Sequence, residues 1–140
     1  MSTADVARNK AAIIERCVRR AREVYGGIDA HLTEDLTRQD SIVLNIQRAC
    51  EATVDLAMHL VRIHRLGIPQ ESRHAFELLA AAGHLDRRLA GVLQRMVGFR
   101  NVAVHDYQNL NLDIVRAIVL RDLDDVLAFA RGVLVAADAG

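Results

Sequence analysis

Three side chains suited to phosphate and proton chemistry, Arg100, His105 and Tyr107, stand together in the stretch GFRNVAVHDY at residues 98–107. A guanidinium forks onto phosphate oxygens, and an imidazole near its neutral pKa gives or takes a proton. An RNA strand brings its own attacking group, the 2′-hydroxyl. Its cleavage therefore needs only a base, an acid and a cation on the phosphate, with no metal and no cofactor. One chain supplies a single such histidine, and a symmetric dimer would supply a second across its axis. Spacing alone is met more simply by a plain helix end: Arg100 as a solvated cation, His105 as a favourable C-terminal charge, Tyr107 as a packing residue with a wet hydroxyl.

The spacing poses a geometric problem. Successive helical residues turn by about 100°, so Arg100 and Tyr107 share a face while His105 points roughly 140° from Arg100. Two resolutions exist. The helix breaks or tightens near His105, or the site is composite and draws on two subunits, and both can hold at once.

Helices must position these residues. The 140 residues are 51% hydrophobic and 26% charged, a globular balance read as one domain over 1–140. Aromatic residues are only 4%, so the core must come from Leu, Val, Ile and Ala, which suits closely packed helices. Residues 4–25 place Val6, Ile14, Cys17, Ala21 and Val24 at three- and four-residue steps, with Ser2 or Thr3 to cap and Gly26–Gly27 to stop. From about Glu34 to Leu66 the chain is apolar nearly all round, apart from a polar stripe of Asn45, Arg48, Glu51, Asp55, His59 and Arg62. Gly67–Pro69 form a break, Ser72 is expected to cap a short third helix, and Gly83 closes it. Asp86 begins a fourth helix with Leu89, Val92, Leu93, Met96, Val97 and Val104 on its buried face. That helix should stop near His105, where HDYQNLN gathers turn formers. Asn111 or Asp113 begins the last helical region, bent near Arg121–Asp122, where Asp122 is expected to cap a second segment. The reading is an all-α bundle of about five helices.

Other features are weaker. Eighteen basic side chains match eighteen acidic ones, so no net field draws the chain to nucleic acid, and any RNA contact needs a local patch. Arg16, Arg19, Arg20 and Arg22 with Arg87, Arg88 and Arg95 are candidates for one, and an ordinary solvated face is the alternative. Glu51, Asp55 and His59 share a helix face and could bind a metal, orient the catalytic histidine, or form a buried polar network or interface. His59 and His64 are five apart rather than the four of a helical zinc pair, so no metal site is expected. Cys17 and Cys50 read as buried thiols rather than a disulfide. No signal-like h-region and no membrane-length apolar stretch appear, which points to a cytoplasmic protein without membrane association.

RNVAVHDY also matches Arg-x4-His-x-Tyr, and through it the chain resembles the HepT-type toxins of the HEPN superfamily. DSIVLNIQRACEATVDLAMHLV at 40–61 is similar to that family's long second helix, AFELLAAAGHLD to its short third, and NLDIVRAIVLRDLDDVLAFA to the segment after the motif. The resemblance implies a metal-independent ribonuclease, the toxin of a toxin–antitoxin pair, with Arg100 and His105 as its catalytic pair. Asn101 follows the arginine as in HEPN motifs, and Asn101, Asp106, Glu51 and Asp55 are expected as supporting residues. It also implies a homodimer whose cleft joins two motifs. The partner would be a minimal nucleotidyltransferase antitoxin that moves AMP from ATP onto Tyr107, adding bulk and negative charge beside the cleft. Two rival readings stand beside this one: a non-catalytic helical partner or substrate of a nucleotidyltransferase, and an inert structural adaptor.

Overall fold

A computed structural model describes residues 2–139, all helix and connecting turns with no strand among them. Helix α1 spans Thr3–Tyr25 and α3 spans Leu36–Ile63, joined by a single turn, α2, at Ala30–Thr33. Helix α4 covers Ser72–Ala81 and α5 covers Arg87–His105. A 3₁₀ turn at Tyr107–Asn109 leads to α6, Leu112–Ala117. A π segment at Ile118–Asp122 joins α6 to α7, Leu123–Ala139. The bundle expected from the apolar periodicity is present, with α3 central: α1, α4, α5 and α7 all pack against it. Its core is aliphatic, including Ile14, Ile42, Ile46, Leu56, Leu79, Leu93 and Leu123, with Phe76 and Phe129 packed edge to face. None of these helices is long and apolar enough to cross a membrane.

The caps explain most boundaries. Ser2 Oγ accepts from the Asp5 N–H at 3.1 Å and Asp5 Oδ2 accepts from the Ser2 N–H at 3.3 Å, a reciprocal capping box. Gly26 then closes α1 in the left-handed region, φ 60°, where a side chain would be strained. Asp35, Asp86 and Asn111 cap α3, α5 and α6 through their side chains. Three expectations need correction. Ser72 is the first residue of α4, and Glu71 occupies the cap position without a side-chain bond. Val104 is exposed, and Ala103 takes the buried place at that end of α5. A new segment, α7, does begin after Asp122, but through a continuous π turn rather than a capped break.

That π turn has a visible cause. Arg22 of α1 reaches 97 residues along the chain and donates from Nε to the Val119 carbonyl at 3.2 Å, while its Nη2 pairs with Asp124 at 2.9 Å. A side chain that captures a backbone carbonyl displaces the regular i→i−4 ladder at that point. Turn α2, absent from the sequence expectation, is similarly tied down: Asp29 before it takes both Arg116 Nε at 2.6 Å and Nη2 at 2.8 Å. The hydroxyl of Tyr25 donates to the same carboxylate at 3.0 Å.

Candidate functional site

Helix α5 carries the motif and runs unbroken to His105, with the Asp106 N–H still bonded to the Val102 carbonyl at 2.8 Å. Arg100 and His105 thus leave one regular helix about 140° apart, which removes the first of the two geometric resolutions. Arg100 is half-buried on the side facing α3, and His105 is exposed on the outer side.

Arg100 donates from Nε to Asn101 Oδ1 at 3.1 Å, and no carboxylate pairs with it among the described residues. The amide of Asn101 therefore orients the guanidinium and leaves its Nη edge available to a phosphate. Beneath Arg100 lies Cys50 of α3. Burial pushes that thiol up to about 12, opposed by the Arg100 charge and reinforced by Glu51. At this value the thiol is inert, and Cys17 is likewise buried and raised by burial. Both cysteines are free, as their apolar helix positions suggest. The His105 imidazole bonds to no side chain among the described residues, so both of its nitrogens face solvent or a partner.

Past His105 the chain turns sharply. Asp106 adopts φ −151°, ψ 48°, and both of its carboxylate oxygens accept from Asn109 Nδ2 at 2.9 Å. This clamp builds the 3₁₀ turn that presents Tyr107. The half-buried Tyr107 hydroxyl donates to Asp40 Oδ1 at 2.5 Å on the first turns of α3, with Gln39 Oε1 3.4 Å away. Burial and the Asp40 carboxylate both push the phenol above its ordinary range, so it is protonated at neutral pH. Asp40 and Gln39 carry no mark of this role in the sequence, since nothing local links them to a residue 67 or 68 positions away.

The other candidates separate from the motif. Glu51 accepts from Gln47 at 3.3 Å, Asp55 pairs with Lys10 of α1 at 3.1 Å, and His59 is buried with Arg62 on its Nδ1 at 3.0 Å. The stripe thus serves three separate contacts, and burial lowers the His59 pKa. No group of three or more His, Cys, Asp or Glu side chains gathers to hold a metal ion among the described residues. Most of the arginine track is bound internally: Arg19 and Arg20 to Glu23, Arg22 to Asp124, Arg87 to Glu77 and Arg88 to Asp125. Arg73 of α4 is instead drawn over Gly98, close enough that a β-carbon there would lie 2.8 Å from its Nη2.

Known proteins resemble this chain in sequence and in fold. The family model for HepT-like ribonucleases matches residues 14–133. The mRNA nuclease HepT of Shewanella oneidensis is 49% identical over 125 residues, covering 89% of this chain and 93% of that protein. A solved structure of the tri-AMPylated Shewanella oneidensis HEPN toxin in complex with an MNT antitoxin superposes with TM-score 0.88 at 47% identity, covering 95% of this chain and 98% of that one. A toxin–antitoxin crystal structure with AMP-PNP also gives TM-score 0.88, at 46% identity over 92% of this chain and 97% of that one. With the family model matching residues 14–133 and a relative 49% identical over most of both chains, this chain belongs to the HepT-like ribonuclease family.

Proposed function

We propose that this chain is a ribonuclease toxin that cuts RNA without a metal and is neutralised when a minimal nucleotidyltransferase antitoxin transfers AMP to Tyr107. The observation that carries the reading is the pairing of an uncommitted Arg100 guanidinium edge with a solvent-facing His105, in a chain near half-identical to an mRNA nuclease. Arg100 binds the scissile phosphate and stabilises its developing charge, and His105 moves the proton at the 2′-hydroxyl or the leaving oxygen. Asn101 holds the guanidinium and Asp106 holds the turn. Glu51 and Asp55 act at a distance, Glu51 through the field around Arg100 and Asp55 through the α1–α3 contact.

Because Arg100 and His105 diverge on α5, the working site is composite, formed where two copies of the chain bring their α5 ends together in a homodimer. The molecule acts in the cytoplasm, where RNA is present and thiols such as Cys17 and Cys50 stay reduced. AMP on Tyr107 places bulk and negative charge beside the site and repels the RNA backbone.

The test is cleavage of mRNA and tRNA by the purified chain with a chelator present. Wild type should cut, and Arg100→Ala and His105→Ala should each lose at least 100-fold in rate, in the range of a lost electrostatic or acid–base contribution. Intact RNA with wild type, or undiminished cutting by either variant, rejects the nuclease reading and leaves a non-catalytic nucleotidyltransferase partner.

A further inference from the structure

The Tyr107 hydroxyl is surrounded in an unusual way. Both groups within reach of it are acceptors: Asp40 Oδ1 at 2.5 Å and Gln39 Oε1 at 3.4 Å. The Gln39 amide is held in that sense because its Nε2 donates to the Leu32 carbonyl at 3.0 Å, which leaves the oxygen toward the phenol. No donor bonds to the phenol oxygen among the described residues, so its lone pairs are unoccupied. A separation of 2.5 Å is that of a short charge-assisted O–H···O⁻ bond. Asp40 is itself exposed and Tyr107 half-buried, so an approaching partner can reach the pair.

We propose that Asp40 is the general base for AMP transfer to Tyr107, an inference that rests on the neutralisation reading above. The phenol oxygen attacks the α-phosphorus of ATP and forms the Oη–P bond. The bond from that phosphorus to the β-phosphate's bridging oxygen breaks, and pyrophosphate leaves with the electron pair. The phenolic proton passes along the existing hydrogen bond to Asp40 Oδ1. Burial of the ring and the adjacent carboxylate keep the phenol protonated until then, so the nucleophile is generated only as the phosphorus is attacked. The toxin thereby contributes a catalytic group to its own modification.

The experiment follows AMP incorporation by intact mass in the full chain mixed with its nucleotidyltransferase partner, ATP and magnesium, as initial rates across neutral to alkaline pH. Asp40→Asn keeps an oxygen to accept the phenol's hydrogen bond but cannot take its proton. Its rate should fall about 100-fold at neutral pH and then climb about tenfold per pH unit as hydroxide replaces the missing base. Asp40→Glu should recover much of the rate. Equal rates in Asp40→Asn and wild type, or a loss the same at every pH, overturn the proposal. Failure of the wild-type chain to gain any AMP would instead overturn the neutralisation reading, and the proposal with it.

Discussion

Arg100 and His105 stand five residues apart on one uninterrupted helix, so their side chains leave its axis about 140° apart. Within one copy of the chain they lie on different sides of α5, Arg100 half-buried and His105 exposed. On the composite reading proposed above, the catalytic pair takes its arginine from one protomer and its histidine from the other.

That arrangement predicts complementation between two inactive variants. In a mixed dimer of Arg100→Ala and His105→Ala chains, one composite site lacks both groups and the other keeps both. Half of the dimers are mixed after random exchange, so about one quarter of wild-type activity should return. RNA cleavage before and after co-refolding of the two variants measures it. No recovery, with mixed dimers demonstrated by mass, would place both groups in one chain.

The phenols give a spectroscopic prediction. Tyr25 and Tyr107 are the two tyrosines and there is no tryptophan, so near-ultraviolet titration sees them alone. Tyr25 is raised by burial and by Asp29, and Tyr107 by burial and by Asp40. Because both folded values exceed the unfolded one of about 10, the stability they confer is complete below that pH and is lost as pH climbs through the folded values. Neither should ionise below pH of about 10 in wild type. Asp40→Asn should bring down Tyr107 alone, and a titration unmoved by that change would contradict the assignment.

Arg22 should matter to the fold more than to RNA. Replacing it with Met keeps most of the apolar stem and removes the donor to the Val119 carbonyl, leaving that group in the π segment without its partner. A destabilisation of about 1–2 kcal/mol is expected, read as a lower urea midpoint at constant slope. An unchanged midpoint would mean that water satisfies the carbonyl equally well.

Gly98→Ala should stabilise. The position is regular helix, where glycine is worse than alanine by roughly 0.5–1 kcal/mol, and the close neighbour is the flexible tip of Arg73 rather than backbone. A rise of a few degrees in Tm is expected, about 2–4 °C. The Arg73 guanidinium must move aside, and it lies on the same helix face as His105, since residues seven apart differ by only about 20°. Thermal unfolding and RNA affinity measured together separate the two effects, and a fall in Tm would show that Arg73 is held rigidly.

Much of the bundle was legible because each helix carries its own punctuation. Apolar residues at three- and four-residue steps marked the buried faces, and Gly26, Gly83, Asp86 and Asn111 marked ends whose chemistry is settled within four residues. The motif was legible for the same reason, being contiguous. Turn α2 was not, since four residues are too few for a period and its anchor, Arg116, is 87 residues from Asp29. The π segment reads locally as a bend with a cap at Asp122, because the carbonyl that Arg22 captures leaves no mark in the local pattern.

By itself, the sequence determined the helices, their order, the buried thiols and the three chemical groups at the end of α5, all consequences of short-range periodicity and capping. Only the tertiary structure decided what surrounds those groups. It kept α5 straight through His105, so Arg100 and His105 diverge. It joined Asn109 to Asp106 and so built the turn that presents Tyr107, and it brought Asp40 from the start of α3 to within 2.5 Å of that phenol. The physical reason is range: a cap or a period is written in neighbouring residues, whereas a proton acceptor 67 positions away is placed only by the packing of α3 against α5.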